Sequence, residues 1–203
     1  AGALWERQDK SGSWKLLKDL GVDDSKKISA NGREDVLKKL QIDPFLPWQK
    51  VIVGGESIFL AMAQNEAPQI ETLNITGATL EAMFRVVKNL LNFSSILSTD
   101  SVCVVVDGKV KIPNLDKLPF NICQVAIPKA DSLFAPMGLA SICAKVYRDY
   151  QMNVWEKIYP GYGHPSHKGY GTEEHREKIC QQGASPIHRR TFAGVKEFLP
   201  PGP

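Results

Sequence analysis

Two aspartates stand where an α/β protein would place catalytic or metal-binding carboxylates. Asp107 ends the β-branched run at residues 101–106, and Asp131 follows a second apolar run at 122–127. Ligands of open α/β sheets collect beyond the carboxyl ends of the strands, so two carboxylates converging there could hold a hard divalent cation. Simpler roles compete. Asp107-Gly108 between apolar segments is also a hairpin signal, and Asp131 could serve only as a helix N-cap.

A second chemical segment is His167-Lys168-Gly169-Tyr170-Gly171-Thr172. Cations, an aromatic face and two glycines that allow close backbone approach suit contact with sugar, base and phosphate. The alternative is a polar loop with a half-buried tyrosine. His164, His167, His175 and Cys180 also raise a zinc-stabilised interaction module, but their spacing matches no common structural zinc pattern. Arg148 and Asp149 read as a structural pair at a helix end. Gly54-Gly55 resembles a phosphate loop only superficially, because no Gly-Lys-Ser/Thr follows.

These residues need elements to position them. Ser29 can cap a short helix whose apolar residues are Val36, Leu37 and Leu40. Residues 48–53 read as a strand, and 76–91 as a helix with Ala78, Ala82, Met83, Val86, Val87 and Leu90 at helical spacing. The run at 101–106 has the texture of a strand buried on both faces. The Ala-rich segment 138–150 predicts a helix packed closely on the sheet, and 172–181 a shorter one. Strands and helices in this order give an α/β domain over residues 1–158, followed by a helical and loop-rich substrate-binding region over 159–203. The Pro-Gly-Pro tail cannot continue regular structure.

The chain has 203 residues, 43% hydrophobic and 23% charged, which excludes a disordered, collagenous or disulfide-built protein. No apolar run reaches the roughly 20 residues needed to span a bilayer. The four cysteines are far apart and mostly inside apolar runs, so a reducing cytoplasm and free thiols are expected. The net charge of +3 belongs to the last third, where residues 141–203 carry nine Lys and Arg against six Asp and Glu. That surplus is compatible with a phosphate-rich partner. No oligomerisation helix is visible, and a monomer is expected.

Taken together, the ordered motifs resemble ribonuclease HII, the type 2 ribonuclease H family. The resemblance rests on Asp24-Ser25-Lys26-Lys27-Ile28-Ser29, on residues 70–83, and on Val105-Val106-Asp107-Gly108. It continues through Lys129-Ala130-Asp131, residues 139–149, Tyr159-Pro160-Gly161-Tyr162-Gly163, residues 167–175 and Ile187-His188-Arg189-Arg190-Thr191-Phe192. The motifs run in family order over about residues 17–195.

The resemblance implies a ribonuclease H-like mixed sheet flanked by helices. It implies an endonuclease that hydrolyses the RNA strand of RNA/DNA hybrids and cuts at ribonucleotides embedded in DNA. Four family carboxylates would hold two Mg²⁺ or Mn²⁺ ions. Asp107 and Asp131 match two of the four, Tyr170 matches the tyrosine that stacks on the sugar, and Lys26, Lys145 and Lys168 match positions facing phosphates. Asn74 and Ser141 match positions near the cleft. The family's D-E-x-G-R-G motif, which supplies the other two carboxylates, does not occur; Glu6 and Asp9 lack its strand and glycines and are not assigned that role. Residues 1–5 look like the end of the family's second strand, so a preceding segment of roughly twenty residues is expected to be missing, its strand belonging beside the one that ends at Asp107. A hybrid-binding protein without catalysis is the alternative for a chain with only two of the carboxylates.

Overall fold

The computed structural model describes residues 1–6 and 13–199. It forms two compact units, one of residues 1–63 and 80–146, the other of 64–79 and 147 onward. The sequence expectation at Asp9 falls outside the described residues.

In the first unit, β1 (Gly2–Glu6) is followed by α1 (Ser13–Asp19), α2 (Ala30–Lys39), β2 (Trp48–Val53) and β3 (Glu56–Ala61). Ser29 caps α2 as expected, its hydroxyl accepting the Gly32 N–H at 3.1 Å. Strands β2 and β3 form a hairpin in which Val53 opposes Glu56. Gly54 and Gly55 both have positive φ, +60° and +85°. That conformation suits a two-residue hairpin turn and explains the glycine pair without any phosphate. β3 pairs on its other side with β1, antiparallel, giving the order β1-β3-β2.

The long helix α3 (Ala67–Phe93) contributes its residues from Leu80 onward to this unit. Then come β4 (Ser101–Asp107) and β5 (Asn121–Ile127), paired in parallel with Asp107 opposite Ile127. Parallel pairing needs a crossover. Residues 108–120 supply it, and the Gln124 side chain holds it, donating to the Ile112 carbonyl at 2.8 Å and accepting the Ile112 N–H at 2.9 Å. The hairpin alternative for Asp107-Gly108 is thereby closed.

One expectation is corrected here. β4 is not buried on both faces: Val102 and Val106 are buried, whereas Ser101, Cys103 and Asp107 on the opposite face are exposed. Val104 and Val106 belong to a cluster with Ile112, Leu115, Met83 and Val87, so one face packs on the crossover and on α3. Among the described residues β4 pairs only with β5, and β1 only with β3. An apolar run records hydrophobicity but not which of the two faces finds a partner.

The main core of the unit joins Leu17, Val36, Leu37, Val51, Ile58, Leu139, Ile142 and Cys143. The last three lie on α5 (Ala135–Ile158), which follows the single-turn α4 (Ala130–Leu133). Burial pushes the Cys143 thiol up to about 12, so it stays protonated and unreactive. Alkylation of the native protein should therefore label Cys103, Cys123 and Cys180, which are exposed, and spare Cys143. Mass spectrometry of the iodoacetamide-treated protein checks this; rapid labelling of Cys143 without denaturant would contradict the packing.

The second unit holds residues 64–79, the rest of α5, α6 (His164–His167) and α7 (Glu173–Gln182). Within α3 the backbone breaks at Asn74, with φ 57° and ψ 170°. The Asn74 side chain accepts the Gly77 N–H at 3.0 Å, starting a new helical segment near the expected residue 76. The sequence pattern thus finds the second segment but not the turns before it. Thr172 caps α7 by accepting the His175 N–H at 3.3 Å. Among the described residues no helix is long and apolar enough to cross a membrane.

Candidate metal and nucleic-acid site

Asp107 is the last residue of β4, and its carboxylate accepts the Ala130 N–H at 3.0 Å. Lys129, with φ +61°, turns the chain out of β5 and into α4, whose first turn contains Asp131. Both carboxylates therefore stand at the carboxyl ends of the parallel pair. Lys129 occupies the N-cap position, so capping does not account for Asp131.

The 23–28 turn is packed against the same end. A Cβ on Gly138 would lie 3.1 Å from the Asp131 carbonyl and 3.2 Å from that of Asp23, so any other residue would press on both backbones at this close approach of α5. Three residues on, Ser141 shares a hydrogen bond of 2.9 Å with Ser25, and Lys145 follows one turn later on α5. Arg33 is buried and donates to the Ser25 and Ile28 carbonyls at 2.9 and 2.7 Å. Lys26 is exposed at the tip of the turn, where its N–H bonds the Asp24 carboxylate at 2.9 Å. The Asp24 N–H and Lys27 hold the Asp23 carboxyl below its ordinary range. Asp107, Asp131, Ser141, Lys145 and Lys26 thus share one region of the first unit.

Gly138→Ala tests this packing. The added methyl has two backbone carbonyls and the Val22 side chain as neighbours, so a loss of about 1–3 kcal/mol is expected. Denaturant unfolding of the variant would measure it, and unchanged stability would mean that the Asp23 and Asp131 backbones yield freely.

Aspartate oxygens are the donors that Mg²⁺ and Mn²⁺ prefer, so the chemistry of Asp107 and Asp131 fits such an ion. Among the described residues, however, no third acidic ligand joins them. The group of three potential ligands that the structure assembles is His164, His167 and His175 instead. The two aspartates are donors of the kind such a site would use.

Asn74, Lys168 and Tyr170 belong to the second unit. Asn74 sits at the break in α3 with its side chain engaged in capping. Lys168 and Gly169 have φ of +53° and +78°, and this pair of left-handed residues projects Tyr170, which is 70% exposed. The loop is fixed from behind: Tyr170 N–H donates to the His167 carbonyl, and the Tyr170 carbonyl accepts from Thr172 N–H and His175 Nδ1, all at 2.9 Å. A half-buried loop tyrosine is excluded by that exposure.

Beside this loop lies a cavity of about 410 Å³ whose walls include Arg148, Trp155, Arg176, Arg189 and Phe192. Arg148 does not end a helix, because α5 runs on to Ile158; its guanidinium reaches toward the Lys168 carbonyl at 3.4 Å. Arg189 lies over the Phe192 ring, 4.2 Å from its centre, and the Glu71 carboxylate holds the Thr191 N–H at 3.1 Å. Arg148, Arg176 and Arg189 were not legible as one group, since 41 positions separate the first from the last. The zinc expectation needs correction too. Cys180 is exposed and lies outside the histidine group, because five positions along α7 place it on a different face from His175.

The ribonuclease HII family model matches residues 1–195. The chain belongs to the ribonuclease HII family. It is 38% identical over 179 residues to ribonuclease HII of Desulforamulus reducens, covering 88% of this chain and 77% of the relative. The corresponding protein of Geobacter sulfurreducens is 35% identical over 179 residues, covering 88% and 70%. That of Limosilactobacillus reuteri is 34% identical over 180 residues, covering 89% of this chain. The chain spans only 60% of the length of this last relative. Among solved structures, ribonuclease H2 from Pyrococcus horikoshii OT3 aligns with a TM-score of 0.60 and 24% identity, over 97% of this chain and 95% of that one. The mixed α/β fold expected from the sequence is therefore that of a ribonuclease H2, and the family resemblance holds across nearly the whole chain.

Proposed function

We propose that this ribonuclease HII family member is the catalytic polypeptide, or most of it, of an endonuclease that hydrolyses the RNA strand of RNA/DNA hybrids and cuts beside ribonucleotides embedded in DNA. The observation that carries the reading is the convergence of Asp107 and Asp131 at the carboxyl ends of β4 and β5, in a chain of this family.

Each residue has a role of its own. Asp107 and Asp131 would bind Mg²⁺ or Mn²⁺, which supplies activation of the attacking water and charge stabilisation at the leaving 3′ oxygen. The Ala130 N–H fixes the Asp107 carboxylate and so sets where its free oxygen points. Lys26 and Lys145 offer ammonium groups to phosphates, and the Ser25–Ser141 pair holds the turn that carries Lys26. In the second unit Tyr170 offers an exposed ring for stacking on a sugar, with Lys168 and Asn74 beside backbone that the fold holds at positive φ. The protein is proposed to act as a monomer.

The test uses the full chain and a DNA duplex carrying one ribonucleotide, with Mn²⁺ present. Cleavage on the 5′ side of the ribonucleotide is the expected result. Salt-sensitive binding with no cleavage would replace the enzyme by a hybrid-binding protein. Neither binding nor cleavage would overturn both readings.

A further inference from the structure

The four histidines gather in the second unit, and the nuclease chemistry uses none of them. His164, His167, His175 and His188 are all buried, and His164 is only 1% exposed. His164, His167 and His175 each present a ring nitrogen, and the three nitrogens lie within 4.8 Å of one another.

Hydrogen bonds fix the tautomers of two of them. His167 Nε2–H donates to the Tyr162 carbonyl at 2.8 Å, which makes Nδ1 the lone-pair nitrogen, now accepting the Gly169 N–H. His175 Nδ1–H donates to the Tyr170 carbonyl at 2.9 Å, which makes Nε2 the lone-pair nitrogen, now accepting from His188. A ring N–H anchored on a backbone carbonyl is the usual outer support of a metal-ligating histidine. His164 differs from both: each of its ring nitrogens is buried without a hydrogen-bond partner. In its neutral form the ring carries an unused lone pair, the form that binds a metal.

We propose that His164, His167 and His175 form a structural site for a borderline divalent ion of the zinc class, which ties the loop carrying Tyr170 to helix α7. Imidazole nitrogen selects such ions over the Mg²⁺ or Mn²⁺ suited to aspartates, so this site is chemically distinct from Asp107 and Asp131. Two hydrogen bonds give way when the ion binds. They are the Gly169 N–H on His167 Nδ1 at 3.2 Å and the His188 Nε2–H on His175 Nε2 at 3.0 Å. The His167 and His175 rings are stacked, 15° from parallel with centres 4.1 Å apart, while His164 stands at 87° and 90° to them. A lone pair lies in its ring plane, so one of the stacked rings must turn for all three to reach the ion. The cavity beside the Tyr170 loop is lined by His164 and His175 and provides the access route.

The test is titration of the chelator-treated full chain with Zn²⁺ and with Co²⁺. One equivalent of Zn²⁺ should bind, Co²⁺ should give the visible absorption of a nitrogen-ligated site, and the Tm should rise with Zn²⁺ but not with Mg²⁺. His164→Phe keeps a ring beside Tyr162 and should weaken Zn²⁺ binding by more than about tenfold. His164→Gln provides the same comparison if the Phe variant fails to fold. No stoichiometric Zn²⁺, or equal affinity in a folded His164 variant, would overturn the site. The readout is metal and not cleavage, so its outcome is independent of the nuclease reading.

Discussion

Asp107→Asn is expected to abolish strand cleavage while leaving the fold intact. Asparagine is nearly isosteric and its carbonyl oxygen can still accept the Ala130 N–H now held at 3.0 Å, so the turn from β5 into α4 keeps its anchor. What disappears is the negative charge that a hard divalent cation requires. Several kcal/mol of transition-state stabilisation would go with it, on the order of a thousandfold in rate. The side chain is exposed, so stability should change by less than about 0.5 kcal/mol. Single-turnover cleavage of a ribonucleotide-containing duplex, alongside a thermal melt, separates the two effects. Full activity in the variant would remove Asp107 from the chemistry. A large fall in Tm would show that the carboxylate serves structure instead.

Arg33→Met should carry the largest stability effect of the substitutions considered, about 2–4 kcal/mol. The guanidinium is buried and donates through one nitrogen to the carbonyls of Ser25 and Ile28, at 2.9 and 2.7 Å. Methionine fills much of the stem volume but leaves both carbonyls without their charged donor, and a hydrogen bond to a charged group contributes about 1.5–3 kcal/mol. The consequence for function follows from position. Ser25 is bonded to Ser141 and is adjacent to Lys26, so loosening the turn should also weaken hybrid binding. Equilibrium urea unfolding measures the first effect, and salt-dependent binding the second. A variant as stable as the parent would mean that the turn is held by its own backbone and by the Ser25–Ser141 contact.

Nothing in the sequence marks Arg33 as a clamp, because its partners are backbone carbonyls whose positions exist only after α2 and the turn have formed. By contrast, Ser29 is legible as a cap from the residues alone, since a cap and the N–H it satisfies are three residues apart. The carboxylates at Asp107 and Asp131 are legible for a similar reason: each follows a short apolar run, and a strand end is a local event. Which chain direction pairs β4 with β5 is not local. Only the parallel register, Asp107 opposite Ile127, brings the two aspartates to the same edge and rules out a hairpin.

The sequence by itself determined the α/β class, the helices that begin at good caps, the placement of the basic surplus in the last third, and the family to which the motifs belong. Tertiary structure decided which face of β4 is covered, why a side chain at Gly138 would be crowded, and that four histidines spread over 25 positions meet while Cys180 does not. The division has a physical cause. Caps, periodicity and turns depend on neighbours within about four residues. Burial, close backbone approach and the lone pairs left on His164 depend on segments that only the folded chain brings together.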